Sequence, residues 1–187
     1  MIKSKPGEKG RRNKLAGQVG EYLASAELAR RNFIATPFSG NVPEFDILAV
    51  DKGLRTIPIQ VKTIRDGSWQ FNGSNFLTIR FDGKTQKVVG KKNAGHHDLL
   101  YIFIKLGEDY GGDQFYLIEK PQLQTIIYSS YCSYLKKNRG IRPKNPASTH
   151  CIVTQSDLER FRDNWDVLLK PTTDDRTMPK MKRSRPD

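Results

Sequence analysis

Two apolar runs, residues 45–50 (FDILAV) and 56–63 (TIPIQVKT), flank the short polar stretch DKGLR. A pair like this closes into an antiparallel hairpin, and the hairpin's register then decides which side chains meet. Strand alternation puts Ile57, Ile59 and Val61 on one face and Pro58, Gln60 and Lys62 on the other. In the first run Phe45, Ile47 and Ala49 face one way, and Asp46, Leu48 and Val50 the other. Apolar residues on both sides describe a central strand covered on both faces. A carboxylate inside such a strand is expensive unless it is paired or bound to a metal. Lysine is rarely buried without a partner. Either Gln60 and Lys62 mark an exposed edge, where lysine guards against strand addition, or they mark a site.

Turn length separates the alternatives. A two-residue turn at Lys52 and Gly53 would send the Asp46 carboxylate to the far face. An odd-length loop centred on Gly53 sets Asp46 opposite Gln60, Leu48 opposite Pro58 and Val50 opposite Thr56, and this is the register we expect.

Around the hairpin, residues 14–31 predict a helix, with Leu15, Val19, Tyr22, Leu23 and Ala26 at helical spacing, Asn13 as its cap and Asn32 as its close. Gly17 and Gly20 each cost a helix about 1 kcal/mol relative to Ala, so something is expected to approach its backbone closely. Strands are expected at 33–36, 44–50, 56–63, 68–71, 75–81, 99–105 and 114–119 from their β-branched and aromatic content. A second helix opens at Pro121 and runs to about residue 137, with Leu123, Ile126, Ile127, Tyr131 and Tyr134 inward. Ser156 and Glu159 form a capping-box pattern before the last element. The order predicts an α/β fold of α+β layers, a mixed sheet flanked by helices. It occupies residues 14–170, between a basic flexible arm at 1–13 and a basic disordered tail at 171–187.

The 32 Lys and Arg against 20 Asp and Glu leave a net charge of +12. Such an excess favours an anionic partner, of which nucleic acid is the commonest. A membrane surface would call for a basic amphipathic helix. The basic residues lie instead in polar stretches, no apolar run approaches the roughly 20 residues of a membrane span, and a cytoplasmic location is expected. Cys132 and Cys151 form no CxxC pair, which argues against a disulfide framework or a zinc site. His96 and His97, being adjacent, point to opposite faces of a strand and do not readily share a metal; we read them as loop residues or phosphate contacts. Trp69 and Trp165 are expected in the core or at its edge.

Glu21 on the first helix, Asp46 in PEFD, and then Gln60-Val61-Lys62 together resemble the PD-(D/E)XK nuclease superfamily, including its restriction endonuclease-like and Holliday-junction resolvase-like members. The resemblance covers roughly residues 15–63, with weaker similarity of strand order to about 119. It implies a restriction endonuclease-like core and Mg2+- or Mn2+-dependent hydrolysis of phosphodiester bonds in DNA. Asp46, the side-chain carbonyl of Gln60, the backbone carbonyl of Val61 and Glu21 would be the metal ligands. Lys62 would orient the attacking water or stabilise the transition state. Arg11, Arg12, Lys14, Gln18, Lys91 and Lys92 would contact nucleic acid, and a nuclease that must cut two strands is expected to act as a homodimer. The sequence departs from the pattern twice: Pro43 stands three residues before Asp46, and Gln60 replaces an acid, which should weaken the hold on a cation. Two alternatives stay open, a catalytically inactive nucleic-acid-binding module on the same fold and an unrelated basic protein with no affinity for divalent metal.

Overall fold

A computed structural model of the chain describes residues 6–38, 44–93, 95, 98–109 and 111–170. Helix α1 (Pro6–Arg30) leads into strands β1 (Ile34–Pro37), β2 (Ile47–Val50) and β3 (Thr56–Ile64). Strands β4 (Trp69–Asn72), β5 (Leu77–Asp82), β6 (Thr85–Lys91), β7 (Leu100–Lys105) and β8 (Gln114–Glu119) follow, then helix α2 (Lys120–Lys137), β9 (His150–Val153) and the single turn α3 (Gln155–Leu158).

The main sheet runs β1-β2-β3-β7-β8. It is mixed, because β3 and β7 are parallel while the other neighbours are antiparallel. The hairpin register is the expected one, with Ile47 opposite Ile59, Leu48 opposite Pro58 and Val50 opposite Thr56. Its loop is built around Asp51, whose Oδ1 accepts the backbone N–H of Gly53 (2.8 Å) and of Arg55 (3.0 Å). Each face of the sheet carries its own core. On one, Ile47, Ile59, Ile102 and Leu117 meet Ala16, Ala24 and Leu28 of α1. On the other, Tyr101, Phe103, Tyr116 and Ile118 meet Leu123, Ile127 and Tyr131 of α2. Each fully buried side chain of this kind contributes about 1.5–3 kcal/mol.

Helix α1 departs from expectation in two ways. It begins at Pro6, so Arg11 and Arg12 lie on the helix and Asn13 sits within it rather than capping it. Proline suits a first helical turn, where its missing N–H costs nothing. The buried stripe is Ala16, Gly20, Ala24 and Leu28, while Leu15, Val19 and Tyr22 are 46%, 38% and 58% exposed. The reason is close approach: a Cβ on Gly20 would stand 1.8 Å from Thr63 Oγ1 of β3, so only small residues fit between helix and sheet. Gly17, by contrast, has open space around it. Asn32, at φ +64°, closes the helix as expected.

Strands β6 and β9 were not expected. They pair with β5 and β4 respectively, as two small sheets. In α2, Leu135 takes the buried place expected for Tyr134, which is 41% exposed. The C-terminal capping box is formed by Thr154 and Asp157, two residues earlier than the Ser156 and Glu159 pattern. Trp69 is buried and Trp165 lies at the core's edge, as expected. Pro43, His96, His97, residues 1–5 and the tail 171–187 lie outside the described residues. Among the described residues no helix is long and apolar enough to cross a membrane.

Candidate functional site

Strands β2 and β3 part company just before Ile47, and Asp46 occupies the fork. Its backbone is held on both sides: its N–H donates to Ile59 O (2.8 Å), and its carbonyl accepts from Phe38 N–H (3.0 Å). With the main chain so fixed, the carboxylate takes the next donor along β3, accepting the Val61 N–H through Oδ2 at 2.7 Å. The same oxygen accepts a hydrogen bond from Gln60 Nε2. Asp46 thus completes the ladder where the β2 main chain has ended, between the two faces of the sheet. In an extended strand the N–H and C=O of one residue point to the same edge, so the Val61 carbonyl also faces the fork.

Glu21 approaches from the α1 face. The Gly20–Thr63 contact draws the helix onto β3 at this level, and Glu21 follows Gly20 by one residue. Partial burial raises the Glu21 pKa above the usual carboxylate range, and the negative charge of Asp46 adds to the rise. Tyr101, opposite Gln60 on β7, is 7% exposed. Its phenol is pushed up to about 12, first by burial and then by the same Asp46 charge.

Lys62 lies two residues beyond Gln60 on the same face of β3. Its backbone carbonyl accepts the indole N–H of Trp69 at 2.9 Å, which anchors this end of the strand. Gln60, Lys62 and Tyr101 line a cleft of about 510 Å³ together with Phe45, Gln70 and Phe71. Lys62 and Gln70 also line an adjoining groove of about 970 Å³, whose walls include Arg12, Arg65, Ser68 and Trp69. The two form one valley with Lys62 on the saddle.

The structure therefore joins Asp46, Gln60 and Val61, with Glu21 in electrostatic reach, while Lys62 lines the cleft beside Gln60 and forms no ion pair with Asp46. Of the basic and polar residues expected at nucleic acid, Arg12 lines the valley. Arg11, Lys14 and Gln18 are exposed on α1, Gln18 donating to the Tyr22 hydroxyl at 3.3 Å. Lys91 ends β6, where its ammonium donates to Thr125 Oγ1 at 2.8 Å, and Lys92 follows it. Tyr101, Gln70 and Arg65 were missed. The first becomes visible only when β7 is placed beside β3, and a sequence offers no local signal for a parallel partner so distant.

The donor set suits a hard divalent cation: two carboxylates that repel each other, a nearby amide and a backbone carbonyl, all oxygen donors. Among the described residues no group of three or more His, Cys, Asp and Glu gathers. Neutral oxygens and water would have to complete the coordination. Gln60 points its amide nitrogen at Asp46, so its oxygen would reach a cation only after the amide turns over.

No family model matches the chain, and no curated protein matches it. Among solved structures it is similar to that of a bacterial homing endonuclease, I-Ssp6803I, at a TM-score of 0.48 and 11% identity, covering 83% of this chain and 92% of that one.

Proposed function

We propose that the chain is a metal-dependent endonuclease that hydrolyses phosphodiester bonds in DNA, with its active site at the β2–β3 fork. The observation that carries this reading is the placement of a carboxylate at the fork, bound to Gln60, charge-coupled to Glu21, and with an ammonium two residues along the same strand face. A structural carboxylate would need only the Val61 N–H; the second acid and the lysine serve no evident packing purpose.

Asp46 and Glu21, with the Val61 carbonyl and the Gln60 amide oxygen, would hold Mg2+ or Mn2+. Bound there, such an ion supplies a Lewis acid for the phosphoryl oxygens and lowers the pKa of a coordinated water. The residues do the rest. Lys62 sets a positive charge where negative charge grows on the phosphoryl group and orients the attacking water. Tyr101 stays protonated at neutral pH and keeps a hydrogen-bond donor at the cleft wall. Arg12 and Arg65 line the groove beyond Lys62, where the flanking phosphates of a bound strand would run.

Cleavage of supercoiled plasmid and of branched DNA in Mg2+ or Mn2+ tests the reading. Cutting by the wild type, lost in Asp46→Ala and Lys62→Ala while both still bind, is the expected outcome. Failure to cut any form, with unchanged binding in both variants, would favour the second reading of a binding module. The use of Asp46 Oδ2 by two protein donors is the observation on that side.

A further inference from the structure

The ribbon of β5 and β6 pairs with no strand of the main sheet, and among the described residues one of its faces has no partner. Its inner face is stapled down. Buried Gln86 donates to Ser148 O at 3.0 Å and accepts the Tyr131 hydroxyl at 2.5 Å, while its backbone N–H donates to Gly140 O at 2.7 Å. On the outer face Arg80 stands directly opposite Lys87, both exposed, with Lys84 at the turn. Among the described residues none of the three forms an ion pair.

Like charges directly across a strand pair destabilise it. Both strands of this two-stranded ribbon are edges, and a cation on each also guards against strand addition; setting the two directly opposite each other is not needed for that and costs stability. Asp82 shares this face but forms no ion pair with either residue among the described residues, and with Lys84 beside them the cations stay in excess, which suits a polyanion. A two-stranded ribbon also has the width that the major groove of B-form DNA, about 12 Å, admits. Phe76, immediately before β5, lines the cleft that holds Gln60 and Lys62, so the ribbon starts beside that cleft.

We propose that the outer face of the β5–β6 ribbon is a docking surface for duplex DNA, with Arg80 and Lys87 on its phosphates. The proposal rests on the reading that the partner is DNA, but not on cleavage. The test is fluorescence anisotropy of the full chain with a labelled blunt duplex, and with one of its strands alone, without divalent metal and over a series of KCl concentrations. For Arg80→Ala/Lys87→Ala, duplex affinity should fall about tenfold or more at ~0.1 M salt. The slope of log K against log salt should shrink by nearly two units, about 0.9 per lost phosphate contact. Unfolding temperature should hold or rise as the repulsion is relieved. If that variant unfolds early, Arg80→Gln/Lys87→Gln carries the same binding expectation. Unchanged affinity and slope in a protein whose wild type still binds and cuts would overturn the ribbon proposal and leave the nuclease reading standing. Equal affinity for the single strand would overturn the duplex assignment, and no wild-type affinity for either form would overturn both readings.

Discussion

Partial burial, with the Asp46 charge adding to it, raises the Glu21 pKa, and this sets how Glu21 should titrate. A carboxyl whose folded pKa is raised holds its proton more tightly in the native state than in the unfolded chain. The stability it contributes is present below the unfolded value and lost as pH rises through the folded one. Glu21 therefore destabilises the protein at neutral pH. Glu21→Gln should unfold at a higher temperature than wild type at pH 7, the difference closing as pH falls toward 4.5; calorimetric melting at several pH values checks this. Adding Mn2+ should raise the wild type's melting point more than the variant's, because a ligand stabilises the state that binds it. Lys62→Ala should lower kcat by roughly 10²–10³, the usual loss when one donor to a developing charge is removed, with little change in DNA affinity. Single-turnover cleavage kinetics read out that loss. The sequence made Asp46, Gln60 and Lys62 legible because strand alternation and one loop length determine their meeting. It could not show that Gln60 points its nitrogen at Asp46, since alternation fixes a side chain's face but not the rotation of its terminal amide.

The two glycines of α1 test the close approach of helix to sheet. Gly17→Ala meets nothing within 4 Å and should stabilise by the helix-propensity difference, about 1 kcal/mol. Gly20→Ala gains the same propensity, but its Cβ would stand 1.8 Å from Thr63 Oγ1 and 2.9 Å from Thr63 Cβ. Overpacking of this kind costs about 1–3 kcal/mol, so Gly20→Ala should lower the urea midpoint and Gly17→Ala should raise it. The glycines pointed to a close approach, and Leu23 packs against the core as expected, yet Leu15, Val19 and Tyr22 of the stripe chosen from large apolar residues lie on the exposed side of the helix. Helical spacing alone cannot tell a face packed through Ala16, Gly20 and Ala24 from one packed through Leu15, Val19 and Tyr22. Strand β6 was hidden for another reason: TQKVVGK carries two lysines and a glycine with little alternation, because only one of its faces meets the protein. The Asp82-Gly83 pair was a hairpin signal that went unread.

Across the whole molecule, the sheet carries α1 on one face and α2 on the other, and the fork is the place where groups from both sides can meet. The net charge of +12 then has a spatial meaning: Arg12, Arg65 and Lys62 lie along the valley, and Arg80 and Lys87 on the ribbon. The layered mixed sheet was legible because its strands are apolar and Pro121 marks the start of α2. The parallel pairing of β3 with β7 was not, since it depends on packing between segments separated by a long crossover. All of this converges on whether the fork holds a doubly charged ion. Calorimetric titration of the metal-free protein with Mn2+ should give a single saturable site in the wild type and none in Asp46→Asn, which keeps an acceptor for the Val61 N–H but removes the charge. Identical titrations for the two proteins, or no heat of binding in either, would contradict it.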